Sequence, residues 1–527
     1  LSGLKVLVVT GLMAKGLVEE EVGRAEGRGV EAVVVALPRP VAALFSLKFI
    51  ASELKRLDLK GGGFDVVLIP GMVRGDASTL RDELGVPAFK GPKHAADLAV
   101  ALEALAAGEE LSTTTPACEL LKGRVEERGF KALEGLEASI DRGRAVKVGR
   151  RRGVWVGGGA PLRVFAEVLD APLLGLRRVA EEARRFKEAG ADVVDLGMLS
   201  EDPRPQVVRE LVRGVRRRVG GPVSIDTLDE AEVVEALKAG VDAVLSLTPS
   251  MAERGGKLLE VEGAREAAYV LIPFEPRGRA SLKAEDRVEV LMGAVRSLRE
   301  AGARRVIVDP LVDPPVSPGC LEAFKACQEL KARMPDVPVM LGLGNVTELM
   351  DADSHGVNAL LAALAVEAGA SALLTTEGSD KTRGCVEEAV VAARMASLAL
   401  ARRSPPKDLG FNLLRLKEKR RRSLDVELPR RVVEASSREE PKVDPAGSFR
   451  LGVDERRRLL IAVHYPRGSL RPDVAVVGRG ALEVRDALIQ LGLVSDLRHA
   501  FYLGYELAKA EVALKLGRSY VQDEDVV

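Results

Sequence analysis

Four times in this chain an amphipathic helix ends in Ala-Gly and a hydrophobic run begins two residues later. Ala189-Gly190 precedes Asp192 to Gly197, Ala239-Gly240 precedes Asp242 to Leu247, Ala301-Gly302 precedes Arg304 to Asp309, and Ala368-Gly369 precedes Ser371 to Thr376. A glycine there takes the left-handed conformation that ends a helix, and a strand that is apolar throughout is buried on both faces, as in a parallel sheet. Further runs at Val164 to Val168, Pro222 to Asp226, Ala268 to Phe274 and Val337 to Gly342 bring the strands to the eight that close a (β/α)8 TIM barrel over residues 161–402. A doubly wound open sheet is the structural alternative.

A chain of 527 residues exceeds what one core usually supports, and a prior of about 150 residues per domain predicts three units. Residues 1–115 alternate Val-rich strands (Lys5 to Thr10, Glu31 to Ala36, Asp65 to Pro70) with helices such as Val18 to Arg28, which predicts a Rossmann- or flavodoxin-like parallel α/β domain. Gly71, Arg74, Gly75 and Asp76 follow its third strand, where open sheets bind ligands. No G-x-G-x-x-G follows the first strand, so ordinary turn residues are the simpler reading. A connecting segment, 116–160, carries a helix (Lys122 to Ile140) and a strand pair (Gly149 to Gly157). Residues 403–442 form a charged linker with the run Lys419 to Arg422. Residues 443–527, with strands at Ser448 to Val453, Leu459 to His464 and Val474 to Val477 and a helix at Asp496 to Leu516, form a small α+β domain.

The 78 Lys and Arg balance the 78 Asp and Glu, so no basic excess attracts nucleic acid. No apolar run approaches the roughly 20 residues of a membrane span, and the expected location is the cytoplasm. Leu1 at the start implies an unusual start codon or a trimmed N-terminus. Cys118, Cys320, Cys327 and Cys385 lack metal or disulfide spacing and read as buried thiols. Many Arg and Glu with few Asn and Gln is a balance of proteins from hot environments.

In a barrel, polar residues at the C-terminal ends of strands face the ligand cavity, while elsewhere on a strand they are buried at a cost. Those ends supply Glu167 or Asp170, then Asp195, Asp226, Ser246, Glu275, Asp309, Asn345 and Glu377. Carboxylates dominate, which suits a ligand with an amidine-like edge of parallel N–H donors. A divalent ion such as Mg2+ is the alternative. His355 is the one histidine near this rim, and no H-x-H or H-E-x-x-H spacing marks a zinc site, so no metal ligand is assigned.

The stretch Gly190 to Gly197, the segment Val223-Ser224-Ile225-Asp226-Thr227 and the strand end Asp309-Pro310 resemble the second, third and sixth strand motifs of the pterin-binding superfamily. That superfamily contains dihydropteroate synthases and the methyltransferases that act on N5-methyl tetrahydropterins. The whole chain resembles the archaeal dihydropteroate synthase-related proteins, in which a barrel is flanked by an N-terminal α/β domain and a C-terminal domain of unknown function. The resemblance implies that Asp226 and Asp309 hold the pterin's amidine edge and that Asn345 faces the reactive side of the ring, as the catalytic residue. Asp195, Ser246 and Glu377 join them as substrate-binding residues.

On the seventh strand the Ser-Arg-Lys of the synthases is replaced by Gly344-Asn345-Val346-Thr347, and their Glu-Ser-Thr-Arg-Pro-Gly loop survives only at Arg204-Pro205. Asp309-Pro310-Leu311 and Gly342 to Val346 are more similar to the methyltransferases, although Ser246 stands where their fourth strand carries Asn. The leading expectation is a transferase taking a methyl group from a reduced pterin of the tetrahydromethanopterin or tetrahydrofolate type. The second is synthase-type condensation, with Lys381 and Arg383 binding phosphate and Mg2+ assisting; the third is a pterin carrier or sensor. The methyl acceptor would be a corrinoid or an acceptor protein. His499, on one helical face with Tyr502 and Glu506, is a weak candidate cobalt ligand because Asp-x-His-x-x-Gly is absent. His94 and His464 read as structural. A homodimer pairing through barrel helices is the expected assembly.

Overall fold

The computed structural model describes residues 3–25, 29–57, 63–150, 153–275, 283–417, 430–433, 435 and 444–526. Leu1, the run Lys419 to Arg422 and much of the expected linker lie outside the described residues. The chain forms two compact units, Leu1–Leu413 and Leu414–Val527.

The first unit opens with four parallel strands, β1 (Leu4–Gly11), β2 (Val30–Leu37), β3 (Val66–Ile69) and β4 (Ala88–Lys90), in the order β2-β1-β3-β4. Side chains alternate across a strand. In β1, Val6 and Val8 therefore pack with helices Lys15–Ala25 and Leu98–Ala106, while Leu7 and Val9 pack with Leu47–Arg56 and Thr79–Leu84 on the other face. Strand order and two-sided cover make this a flavodoxin-like sheet. Arg402, at the end of the last barrel helix, pairs with buried Asp97 at the start of Leu98–Ala106. Its neighbour Arg403 reaches Glu20 at 3.1 Å, so ion pairs tie this layer to the barrel.

An antiparallel hairpin, β5 (Ala145–Val148) and β6 (Val154–Gly157), comes next. It is followed by eight parallel strands: β7 (Arg163–Val168), β8 (Val193–Gly197), β9 (Val223–Asp226), β10 (Ala243–Leu247), β11 (Ala268–Leu271), β12 (Val306–Val308), β13 (Met340–Gly342) and β14 (Ala372–Thr376). Their order is β12-β11-β10-β9-β8-β7-β14-β13, and a parallel bridge from Val308 to Val339 joins the two ends, so the sheet closes as a (β/α)8 barrel. The four glycines expected to end helices, Gly190, Gly240, Gly302 and Gly369, have φ of 104°, 81°, 106° and 88°. There, a side chain would be strained.

Val146, Val148 and Val156 of the hairpin share one core with Phe165, Val193, Ala243, Ala268, Ile307, Met340 and Ala372. These are the inward residues at the N-terminal ends of the barrel strands, so the hairpin seals that end of the barrel. Burying one such Val is worth roughly 1.5–3 kcal/mol.

In the second unit, β15 (Gly447–Asp454), β16 (Leu459–Pro466) and β17 (Val474–Gly478) form an antiparallel sheet in sequential order. Helices Ala481–Gln490 and Leu497–Leu516 cover it through Val484, Leu488, Leu503 and Leu507 against Phe449, Leu460 and Ala462. This is the small α+β fold expected. Among the described residues no helix is long and apolar enough to cross a membrane.

Candidate functional site

Alternation along three adjacent strands builds the site. Phe165 and Val193 face the barrel interior, so Glu167 and Asp195, two residues on, face it as well. In β9, Val223 and Ile225 pack outward against the helices, which turns Ser224 and Asp226 inward. The register aligns Glu167 with Asp195, Asp195 with Ser224, and Gly197 with Asp226. As a result, one carboxylate oxygen from each of Glu167, Asp195 and Asp226 lies within 4.8 Å of the other two. The glycine at position 197 leaves the room that this carboxylate occupies, since a Cβ on it would stand 2.3 Å from Glu167 Oε1.

Asp195 and Ser224 are fully buried, and among the described residues neither Asp195 oxygen nor the Ser224 hydroxyl has a hydrogen-bond partner. Burial, and then the nearby Asp226, raise Asp195 well above the usual carboxylate range. The Ser224 hydroxyl and the Leu196 amide lean toward it and oppose that shift without reaching good hydrogen-bond geometry. Glu167 is raised well above its ordinary value by burial and by Asp226, Asp195 and Asp170. Asp226 is raised by burial, against which the facing Ser246 hydroxyl works. Ser246 reaches that position because β10 shifts register between Val244 and Leu247, with φ at Ser246 of 56°.

Asp309 sits at the end of β12, buried, with Oδ1 accepting the Leu311 amide at 2.7 Å. Burial pushes its carboxyl up to about 7; the Leu311 amide works against this, Asp226 adds to it, and Arg287 opposes it. The loop is held by Arg287, a buried residue of helix Ala284–Glu300. It donates to the carbonyls of Pro310 at 3.0 Å and Leu311 at 2.6 Å and pairs with Asp313. Asn345, in the short turn after β13, donates through Nδ2 to the Val312 carbonyl at 2.7 Å, so the loops after β12 and β13 are pinned together.

Other expected residues are not brought to this cluster. Ala372 and Leu374 of β14 face the interior, which by alternation sends Glu377 outward. It pairs with Arg185 at 2.7 Å and accepts the Val386 amide at 3.3 Å, near the N-terminus of helix Cys385–Arg402. Lys381 donates to the main-chain carbonyls of Thr347 and Met350, and to Glu348 at 3.4 Å. Arg383 is exposed just before the same helix. Glu275 accepts from the Ser250 amide at 2.6 Å, and His355 faces buried Glu388 at 3.2 Å. Of the pair Glu167 and Asp170, Glu167 is the one in the cluster; Asp170 is the residue before helix Ala171–Glu188, with φ of 49° and no capping hydrogen bond from its side chain. Sequence reasoning missed Ser224 as a site group, although alternation from Asp226 marks it, and missed Arg287, for which the sequence carries no signal.

In the second unit, Asp444 is buried and accepts from the Ser495 hydroxyl, the Ala446 and Asp496 amides and His499 Nδ1, the last at 2.9 Å. Burial would raise Asp444, but these donors outweigh it and hold the carboxyl well below its usual range. His464 is buried, with Nδ1 on Asp473 at 2.7 Å and Nε2 on the Ala446 carbonyl at 3.1 Å.

Residues 171–376 match a family described as "Pterin binding enzyme", residues 5–93 a family of unknown function (DUF6513), and residues 443–523 the family PterinBD-DUF4346. An uncharacterized protein of Methanocaldococcus jannaschii, MJ0107, is 32% identical over 536 residues, which cover 99% of each chain. This chain belongs to the dihydropteroate synthase-related pterin-binding proteins. The dihydropteroate synthase of Bacillus subtilis is 25% identical over 139 residues, 24% of this chain and 48% of that one. Among solved structures, a Yersinia pestis dihydropteroate synthase is 17% identical with a TM-score of 0.38, covering 48% of this chain and 99% of that one. The 7,8-dihydropteroate synthase of Vibrio fischeri is 16% identical with a TM-score of 0.39, covering 50% and 100%. In this pterin-binding protein the matched stretch contains Asp195, Asp226, Ser246, Asp309 and Asn345. Glu167 precedes it, and Glu377, Lys381 and Arg383 follow it.

Proposed function

We propose that the barrel binds a reduced pterin at the mouth formed by the ends of β7 to β14 and transfers the methyl group of its N5. The pterin would be of the tetrahydromethanopterin or tetrahydrofolate type. Asp226 and Asp309 accept the N–H donors of the pyrimidine edge, with Asp195 and Ser246 behind Asp226. A buried carboxylate pair of this kind gains most from a ligand that brings paired donors. Asn345 has two amide hydrogens, and the one on Val312 leaves the other for N5. When the N5–methyl bond breaks, the pterin nitrogen keeps the electron pair and takes a proton from water, and the Asn345 hydrogen bond strengthens as that charge grows. The methyl group passes to a nucleophile of a corrinoid or of an acceptor protein.

The observation that carries transfer over condensation is the placement of Lys381. Displacing pyrophosphate needs positive charge near the departing phosphates, and this ammonium is spent on the carbonyls of Thr347, Glu348 and Met350. Condensation with an arylamine is the second reading, favoured by the likeness to the Bacillus subtilis enzyme and by exposed Arg383 before a long helix; it would call on Mg2+. The same proposal has the protein work in the cytoplasm as a homodimer paired through barrel helices, where exposed Leu360 and Leu364 supply apolar surface.

The test supplies the protein with methyl-labelled tetrahydropterin and a reduced corrinoid or thiol, and separately with a pterin methyl pyrophosphate and an arylamine. Label on the acceptor is the expected result. Condensation alone would move the assignment to the synthase, and tight binding without either product to a carrier.

A further inference from the structure

Helix Leu497–Leu516 packs Leu503, Leu507 and Ala510 into the core of the second unit. At about 100° per residue, Leu497, Phe501, Gly504, Tyr505, Ala508 and Val512 line its far side, with no charged residue among them. A helix that covers one face of a sheet ordinarily turns charged and polar residues to solvent. Here Leu497 is 79% exposed, Phe501 82%, Tyr505 61% and Val512 44%. We propose that this stripe pairs with the same stripe of a second copy of the chain, as two antiparallel helices about a two-fold axis.

Two-fold symmetry fixes which residues meet, because in a self-complementary contact residue i lies against j and j against i. An axis between positions 504 and 505 sets Leu497 against Val512 of the second copy, Phe501 against Ala508 and Tyr505 against Gly504. Each aromatic ring then faces a small residue, the alternation of large and small that lets two surfaces interlock. A parallel pair in register would put Phe501 on Phe501 and Gly504 on Gly504, crowding one level and leaving a gap at the next.

Gly504 supplies an independent observation. A glycine inside a helix costs stability relative to alanine, and packing among the described residues does not call for one here: a Cβ at 504 would meet nothing within 4 Å. A second helix approaching closely at that level, with the Tyr505 ring of the second copy laid over the backbone, accounts for the glycine. The area agrees. Leu497, Phe501, Tyr505 and Val512 offer about 500 Å² per copy, so the pair buries roughly 1,000 Å², the threshold of a specific protein contact. Arg498 and Lys509 run along one side of the stripe and Glu511 and Lys515 along the other, as the polar rim of an interface does.

This contact is separate from the pairing through barrel helices proposed above and does not rest on it. The test therefore uses the full chain carrying Leu360→Glu, which puts a charge on the exposed apolar surface of barrel helix Ser354–Ala368, and follows its mass by sedimentation at roughly 1–100 µM chain. A reversible dimer is expected, and adding Phe501→Glu should raise its dissociation constant at least about tenfold. Melting curves establish that both variants fold. Under mild oxidation Tyr505→Cys should link to its own copy, because that position lies beside the axis. Leu497→Cys should not link to itself but should link to Val512→Cys when the two chains are mixed, with the bonds located by peptide mass. A monomer throughout that range, which would leave the stripe to a different protein, would overturn the pairing. So would a dimer indifferent to Phe501→Glu, or self-linking by Leu497→Cys in place of Tyr505→Cys. A fall in mass on Leu360→Glu alone reads the barrel pairing separately.

Discussion

Gly197 leaves the space that the Glu167 carboxylate fills: a Cβ on Gly197 would stand 2.3 Å from Glu167 Oε1 and 3.1 Å from Cδ. Gly197→Ala therefore pushes the end of a flexible side chain rather than the backbone. The protein should fold with little change in melting temperature, while the displaced Glu167 carboxylate, which has an oxygen within 4.8 Å of Asp226, disturbs that proposed acceptor and lowers pterin affinity by about 1–3 kcal/mol. Calorimetric titration set beside a thermal melt checks this. Equal loss of stability and affinity would contradict it.

On the proposed reading of the pterin edge, Asp226→Ala and Asp309→Ala should each leave pterin donors unpaired in a buried site, at a cost of about 1–3 kcal/mol in binding per lost partner. Quenching of pterin fluorescence measures it. Unchanged affinity in both variants would remove them from the pterin edge.

The carboxyl of Asp309 titrates near neutrality, pushed up to about 7. Only the ionised form accepts both pterin donors, so affinity should rise with pH through this range, by at most about tenfold per unit, and then level off. Asp309→Asn should bind more weakly with a flat profile. The effect on folding has the opposite sign. A folded pKa above the unfolded one contributes stability that is full below the ordinary Asp value and is lost as pH rises through about 7. An affinity profile that falls with pH would be incompatible with an ionised Asp309 as acceptor.

Asn345→Ala should slow methyl transfer far more than it weakens pterin binding, the mark of a contact made mainly in the transition state. Lys381→Ala should instead lower stability, since it frees three main-chain carbonyls, and leave the rate of the folded enzyme nearly unchanged. A single-turnover rate unaffected by Asn345→Ala would sink the mechanism, and a collapse of that rate in Lys381→Ala would favour the synthase.

In the second unit, Asp444 has a lowered folded pKa. Its stabilisation is complete above the ordinary Asp value and is lost as pH falls through the depressed one. Asp444→Asn should cost about 1–3 kcal/mol at neutral pH, with the difference from the unaltered protein shrinking in acid. Calorimetry across pH reads this directly, and a difference that grows in acid would contradict the assignment.

The barrel was legible because its signals are local and repeated: Ala-Gly helix ends and fully apolar strands require no knowledge of distant contacts. Asp195, Asp226 and Asp309 followed from strand ends. Glu377 shows where that rule is too coarse, because a strand end admits inward and outward residues, and the inward run Ala372, Leu374 already implied that 377 turns out to Arg185. Ser246 breaks alternation through a left-handed residue that no residue type other than glycine advertises. Arg287 was beyond reach for another reason: its partners lie 23 to 26 positions away, and only the packing of its helix beneath the β12 loop brings them together.

The hairpin β5–β6 that seals the N-terminal end makes the barrel a blind vessel. Traffic has one doorway. If a pterin sits on Asp226 and Asp309 as proposed, an acceptor entering by the same doorway approaches over the pterin's exposed face and departs before the spent pterin leaves. Product-inhibition patterns should accordingly be those of a compulsory order, with pterin first on and last off.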